Sequence, residues 1–255
     1  MNDHIVVKDL SKVFNDRGKL TTAFDNISLT IPRGQFCAII GPSGCGKTSL
    51  LRVLAGLEEH SAGSKNIATT RQESGKDHRI GMVFQEPDLF AWMSLRRNVE
   101  FFLENNPRIE KKDIADITAN VLTRVGLEDF ADFLPGKVSG GMQQRVSIAR
   151  CFANDADLLL MDEPFVFLDY QSRMRLHQVL LDIWTESEKT VIFVTHDIEE
   201  AVFLADRVVR MSSHPGQIVE DHVLDFERPR SLSDLRKDSR YVDLLDHLTK
   251  TIVNS

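Results

Sequence analysis

Three cysteines in 255 residues, Cys37, Cys45 and Cys151, are too few and too scattered for a disulfide framework or a cysteine metal site. Cys37 and Cys151 fall in apolar patterns that suit a core, and a reducing cytoplasm is expected. Long apolar runs are also missing: nothing approaches the roughly 18 residues of a membrane span. Met1-Asn2-Asp3-His4 lacks the basic and apolar regions of a signal peptide, so the chain is expected to be soluble by itself. Nor is there an excess of positive charge. With 31 Lys and Arg against 38 Asp and Glu, the net charge of −7 argues against a general nucleic-acid surface. There is no internal repeat. The length suffices for one large α/β domain or a main domain with an inserted lobe, which leaves a soluble enzyme or a peripheral membrane subunit.

What the chain does contain is a phosphate-binding pattern. Gly41-Pro42-Ser43-Gly44-Cys45-Gly46-Lys47-Thr48 follows the apolar Phe36-Cys37-Ala38-Ile39-Ile40 and precedes Leu50, Leu51, Leu54 and Leu57 at helical spacing. A glycine-rich turn between a strand and a helix is the context a P-loop requires. Glycines let several backbone N–H groups converge on phosphate oxygens at a helix N-terminus, where the dipole also favours anions. Lys47 is expected to reach the β- and γ-phosphates of a nucleoside triphosphate, and Thr48 to place a hydroxyl on Mg²⁺. Ser43 and Cys45 line the loop through their backbone, and Ser49 extends the binding segment.

Two further groups fit the same chemistry. Leu158-Leu159-Leu160-Met161 reads as a buried strand ending in Asp162 and Glu163. Asp162 suits Mg²⁺ through water. Glu163, on the opposite side of the strand by alternation, is placed to act as general base on an attacking water. Val138-Ser139-Gly140-Gly141-Met142 opens a helix with a serine cap and two glycines. Glycines there cost stability unless something must approach closely, so Ser139, Gly140 and Gly141 form a second candidate anion site.

Around these motifs the elements can be sketched. Ile5-Val6-Val7 and the alternating Phe24 to Ile31, followed by Pro32-Arg33-Gly34, predict antiparallel strands forming a small β-lobe. Residues 60–79 are polar and rich in turn signals, and an exposed loop or hairpin is expected there. From Ser94 to Ala153 apolar residues recur at helical spacing, which predicts an inserted helical lobe. Val191-Ile192-Phe193-Val194 predicts another buried parallel strand after a helix over Gln171 to Trp184, giving a parallel sheet covered on both faces. Beyond Arg228-Pro229-Arg230 the charged, amphipathic tail predicts a terminal helix or two.

In this order, the P-loop, Gln85, Ser139-Gly140-Gly141, Asp162-Glu163, Asp169 and His196 resemble the ATP-binding cassette subunits of ABC transporters over nearly the whole chain. The resemblance implies the ABC ATPase fold: an α/β P-loop NTPase (RecA-like) core, an antiparallel β subdomain and an inserted α-helical subdomain. It divides one ABC ATPase domain into 1–88 and 155–225 as nucleotide-binding core with the β subdomain, 89–154 as helical signature subdomain, and 226–255 as C-terminal helical tail. It implies ATP and Mg²⁺ as ligands. Gln85 matches the glutamine that ligates Mg²⁺ and senses the membrane subunit, and Asp169 matches the D-loop aspartate. His196 matches the switch histidine on the γ-phosphate, and Phe14 the aromatic that stacks on adenine, with Phe24 as competitor. A head-to-tail homodimer with two composite sites is implied, as is a place on the cytoplasmic face of the cell membrane against integral permease subunits.

Two segments depart from the family pattern. Val138 and Met142 flank the signature glycines, and Val166-Phe167-Leu168-Asp169 carries a bulky Phe167 where small residues are usual. The segments Phe84 to Trp92, Ser139 to Arg145 and Met211 to Gly216 are similar to importers of the nitrate, sulfonate, taurine and bicarbonate type. That likeness implies an extracytoplasmic solute-binding protein as indirect partner and no nucleic acid. Leu89-Phe90-Ala91-Trp92-Met93 is either a groove for a permease helix or lobe core. An exporter or lipid carrier is the nearest rival function. An ATPase acting on nucleic acid or ribosomes is the more distant one, since Lys47 and Ser139 stand too close for a long coiled coil and only one cassette is present. A non-catalytic regulatory cassette is opposed by Glu163 and His196.

Overall fold

A computed structural model of the chain describes residues 3–68, 80–187 and 189–253. In chain order the elements are β1 (Asp3–Asp16), β2 (Lys19–Pro32), β3 (Phe36–Ile40), α1 (Lys47–Leu54), β4 (Ala62–Ile67), β5 (Ile80–Val83), α2 (Leu95–Glu104), α3 (Ile114–Arg124) and α4 (Gly140–Ala153). They continue with β6 (Leu158–Asp162), α5 (Tyr170–Ser187), β7 (Thr190–Val194), α6 (Ile198–Leu204), β8 (Arg207–Met211), β9 (Ile218–Val223), α7 (Leu232–Leu235) and α8 (Ser239–Val253). Two compact bodies result, Met1–His78 with Glu188–Ser255, and Arg79–Ser187.

In the first body β1 and β2 pair antiparallel across a two-residue turn, Arg17-Gly18, both at positive φ. That is the backbone a tight hairpin demands. Within the segment expected as a loop or hairpin, 62–67 forms a strand, β4, which pairs with β1 to give the order β2-β1-β4. Its small, turn-like residues have a packing cause: a Cβ on Gly63 would sit 2.3 Å from the Asp9 carbonyl oxygen, beside a register shift in β1. A bulge with close backbone approach reads like a turn in sequence. The stretch Gln72 to Asp77 of that expected loop lies outside the described residues.

Every residue of β3 and β7 is buried, as hydrophobic runs predict for strands covered on both faces. β3 runs parallel to β7 and β8, and β9 closes the edge antiparallel to β8. α1 leaves the carboxyl end of β3 and stops at Leu54, because Gly56 turns the chain at φ +74°. Leu57, expected on the helix, is exposed. The tail folds back: α8 packs on α6, and buried Arg230 donates to the carbonyls of Val202, Phe203 and Ala205 at the end of α6. Those are the carbonyls a helix end leaves unsatisfied.

In the second body β5 and β6 pair in parallel. Gly81 allows α4 to lie close, since a Cβ there would meet the Cys151 sulfur at 2.7 Å. Helices α2, α3 and α4 pack on one another through Leu95, Val99, Leu103, Val121, Leu122 and Val146, all buried, as the helical spacing predicted.

Candidate functional site

The P-loop of the first body begins where β3 ends. Gly46, at φ +94°, caps α1, and a Cβ there would lie 2.6 Å from the Ala23 carbonyl oxygen, so both conformation and space require glycine. Gly44, at φ +78°, has nothing within 4 Å of a built Cβ, so only its backbone conformation demands glycine. Lys47 is buried; its Nζ donates to the carbonyls of Gly41 at 2.7 Å and Pro42 at 2.9 Å and approaches the Cys45 sulfur at 3.7 Å. The cation is thus held inside the loop that it closes. Ser43 is exposed, while Thr48 and Ser49 are half-buried on the first turn of α1.

The strand pairing places His196 at the same carboxyl edge. Ile39 of β3 faces Val194 of β7, and the Thr195 N–H donates to the Ile39 carbonyl at 3.3 Å. Ligands of parallel α/β sheets gather at this edge. His196 is exposed and flanked by hydrogen-bonded neighbours. The Thr195 hydroxyl donates to Glu200 at 2.6 Å, and Asp197 caps α6 by accepting the Glu200 N–H at 3.1 Å. Of the two aromatic candidates, Phe24 is wholly buried; Phe14 is 38% exposed, with the Lys12 ammonium 4.6 Å from its ring centre. Only Phe14 has a face to offer a ligand.

In the second body the edge logic repeats. Val83 of β5 pairs with Met161 of β6, so Gln85 and Asp162 emerge at neighbouring carboxyl ends. Gln85 is exposed and Asp162 is buried. Glu163 does not continue the strand alternation on which its expected orientation rested: β6 ends at Asp162 and Glu163 adopts φ +45°. A non-glycine residue in that region is held by its surroundings and is frequent at functional sites. Ser139 caps α4, its hydroxyl accepting from the Met142 N–H at 3.2 Å. Gly141 is pressed on the following segment, a built Cβ meeting the Phe167 carbonyl at 3.1 Å; Gly140 has nothing within 4 Å. The fold therefore does not itself demand glycine at 140. Asp169 caps α5, and hydrogen bonds from the Ser172 side chain and backbone hold its carboxyl below the usual range. Phe167 is half exposed.

Three supporting residues escaped the sequence reading. Gly216, buried in the loop after β8, is clamped between Ala23 and Asp25 by hydrogen bonds of 3.1 and 2.9 Å, and a Cβ on it would lie 1.9 Å from the Cys45 carbonyl oxygen. It backs the P-loop. Gln144 donates to the Phe84 carbonyl at 3.0 Å. Arg150 donates to the Asp88 carbonyl at 3.2 Å and to its carboxylate, and its guanidinium lies 4.6 Å from the Phe102 ring centre. α4 thereby grips the segment bearing Gln85 on both sides. Phe90 packs on Phe101 and Phe102 and is half-buried, whereas Trp92 is 74% exposed, so the apolar segment lies at the surface and no residue of it is fully buried.

Comparison with known proteins gives a coherent family. A family profile described as "ABC transporter" matches residues 24–166. An uncharacterised ABC transporter ATP-binding protein of Methanocaldococcus jannaschii is 45% identical over 90% of this chain and 85% of its own length. The nitrate import ATP-binding protein of Synechocystis is 41% identical over 89% and 86%. The taurine import ATP-binding protein of Roseobacter denitrificans is 40% identical over 91% and 86%. Among solved structures, a dimeric ATP-binding cassette in a post-hydrolysis state, bound to ADP and Pi, superposes with a TM-score of 0.78 at 29% identity, over 88% of this chain and 100% of that one.

Proposed function

This chain belongs to the ABC transporter family, with the α/β P-loop ATPase fold of its cassettes, and from that premise we propose that it is the ATP-hydrolysing subunit of an importer for a small oxyanion such as nitrate, a sulfonate or taurine. The observation that carries the ATPase reading is the loop Gly41–Thr48, whose glycines are required by conformation or by space and whose lysine is locked at its mouth. The importer reading is supported by the names of relatives about 40% identical over nine-tenths of the chain.

In this reading each body supplies distinct groups. The first contributes backbone N–H donors of the loop, the Lys47 charge and His196 for the phosphates, with Phe14 for the base. The second contributes Glu163 as general base, taking the proton of the attacking water, and Ser139, Gly140 and Gly141 for the γ-phosphate of a second copy. Thr48 in the first body, and Gln85 and Asp162 in the second, each carry an oxygen donor of the kind Mg²⁺ prefers and are the residues this reading assigns to that ion; bound, it would neutralise phosphate charge. Because Ser139 serves the partner's nucleotide, two copies close head to tail, and the closed form is favoured to the extent that ATP binds it more tightly. That closure drives permease subunits on the cytoplasmic face of the membrane, with Trp92 offered to them. Among the described residues no helix is long and apolar enough to cross a membrane.

The experiment is to purify the tagged chain from gently solubilised native membranes and identify its companions by mass. A multispanning permease recovered with a secreted solute-binding protein supports the importer. Ribosomes, nucleic-acid proteins or no membrane subunit would sink it.

A further inference from the structure

Far along the chain from the phosphate-binding motifs, β9 and α8 of the first body bring three ligating side chains to one point. Along β9 the half-buried positions alternate with exposed ones, so Ile218, Glu220 and His222 share the inward face, while Asp221 turns outward to pair with Arg207 at 2.6 Å. His247 arrives from α8. The Nε2 atoms of both rings converge on the same oxygen, Glu220 Oε2, at 2.8 Å for His222 and 2.9 Å for His247. The other oxygen, Oε1, is held by Arg210 of β8, whose Nε and Nη2 donate at 2.8 and 2.5 Å. All three ligand atoms lie within 4.8 Å of one another.

We propose that Glu220, His222 and His247 form a binding site for a divalent transition metal of zinc type that ties the C-terminal helix α8 to the sheet edge at β9. Two imidazole nitrogens and one carboxylate oxygen are the ligand set of three-coordinate protein zinc sites, with water in the fourth position. Imidazole also selects against Mg²⁺ and Ca²⁺, which take oxygen. Arg210 does for Glu220 what outer-shell partners do in such sites: it fixes the carboxylate's orientation and leaves one oxygen for the ion. A tetrahedral ion spaces its ligand atoms about 3.3 Å apart, so the two imidazole–carboxylate separations need to widen by roughly 0.5 Å, and the two ring nitrogens, within 4.8 Å of each other, to settle at that spacing, through side-chain rotation. On binding, each neutral ring carries its proton on Nδ1 and turns the Nε2 lone pair to the metal. His247 is half exposed and gives the ion a way in.

This site is independent of the nucleotide chemistry, and so is its test. The full-length chain, stripped with chelator, is titrated with Zn²⁺ by calorimetry and with Co²⁺ by visible absorption. One saturable equivalent per chain is expected, weakened in His247→Ala and in His222→Ala by more than the about 10- to 100-fold that loss of an outer-shell partner alone costs a zinc site. The three cysteines are all buried and do not compete. Hydrogen exchange supplies the second readout: Zn²⁺ slows the amides of α8 in the wild type and leaves them unchanged in His247→Ala. His247 lies on the exposed side of α8, so this variant folds even if His222→Ala does not. No saturable binding of either ion, or equal affinity in wild type and His247→Ala, overturns the assignment.

Discussion

Gly216→Ala tests the mechanical support of the phosphate loop. The new Cβ would stand 1.9 Å from the Cys45 carbonyl oxygen and 2.8 Å from the end of the Met211 side chain. The methionine can turn aside; the carbonyl belongs to the loop backbone. Reaching even a tight contact near 3.2 Å requires a movement of roughly 1.3 Å. Gly216 itself cannot supply it without loosening its hydrogen bonds to Ala23 and Asp25 at 3.1 and 2.9 Å. Overpacking of this kind costs about 1–3 kcal/mol, which for a chain of this size lowers Tm by roughly 2–10 °C. A displacement of about 1 Å at a phosphate-positioning element lowers hydrolysis on the order of 10- to 100-fold. The assays are thermal unfolding and ATP turnover, run beside Gly136→Ala, where a Cβ meets nothing within 4 Å and little change is expected. Wild-type Tm in Gly216→Ala would refute the packing argument. A lowered Tm with wild-type turnover would refute the assignment of this loop to the phosphates.

Three further outcomes are expected. Glu163→Gln keeps the side chain's shape and removes the base: ATP binding persists, turnover falls about 10²- to 10⁴-fold, and an ATP-bound dimer accumulates on size exclusion; fast turnover without a dimer contradicts the role. Arg150→Met takes the donors from Asp88 and the cation from Phe102, so amides over 84–88 are expected to exchange at least about tenfold faster by mass spectrometry while those of α1 do not change; uniform exchange counts against the grip of α4 on this segment. Arg230→Met leaves the carbonyls of Val202, Phe203 and Ala205 without their charged donor, and chemical denaturation is expected to show a loss of about 2–4 kcal/mol; an unchanged midpoint would remove Arg230 as the clasp of the tail.

The sequence by itself determined the elements that obey a period or a backbone constraint. The all-buried β3, β6 and β7 announce themselves as short apolar runs, and the loop from Gly41 to Thr48 by glycines that a phosphate-binding turn requires. Ser139 is legible as a helix cap because capping is a local hydrogen bond. Alternation failed at Glu163, where the chain leaves the strand at positive φ; at 62–67 turn signals hid a strand, since Gly63 is small because β1 passes close by.

Only the tertiary structure decided the contacts between residues distant in sequence. Gly216 looks like one more turn glycine until the Cys45 carbonyl is found against it, and the grip of Gln144 and Arg150 on 84–88 joins residues some 60 positions apart. Glu220 and His222 share one face of a strand, but His247 stands 25 residues beyond His222, in a helix. Local chemistry repeats along a chain and can be read from it. Which distant side chains share a point in space depends on the packing of whole elements, and no spacing in the sequence encodes it.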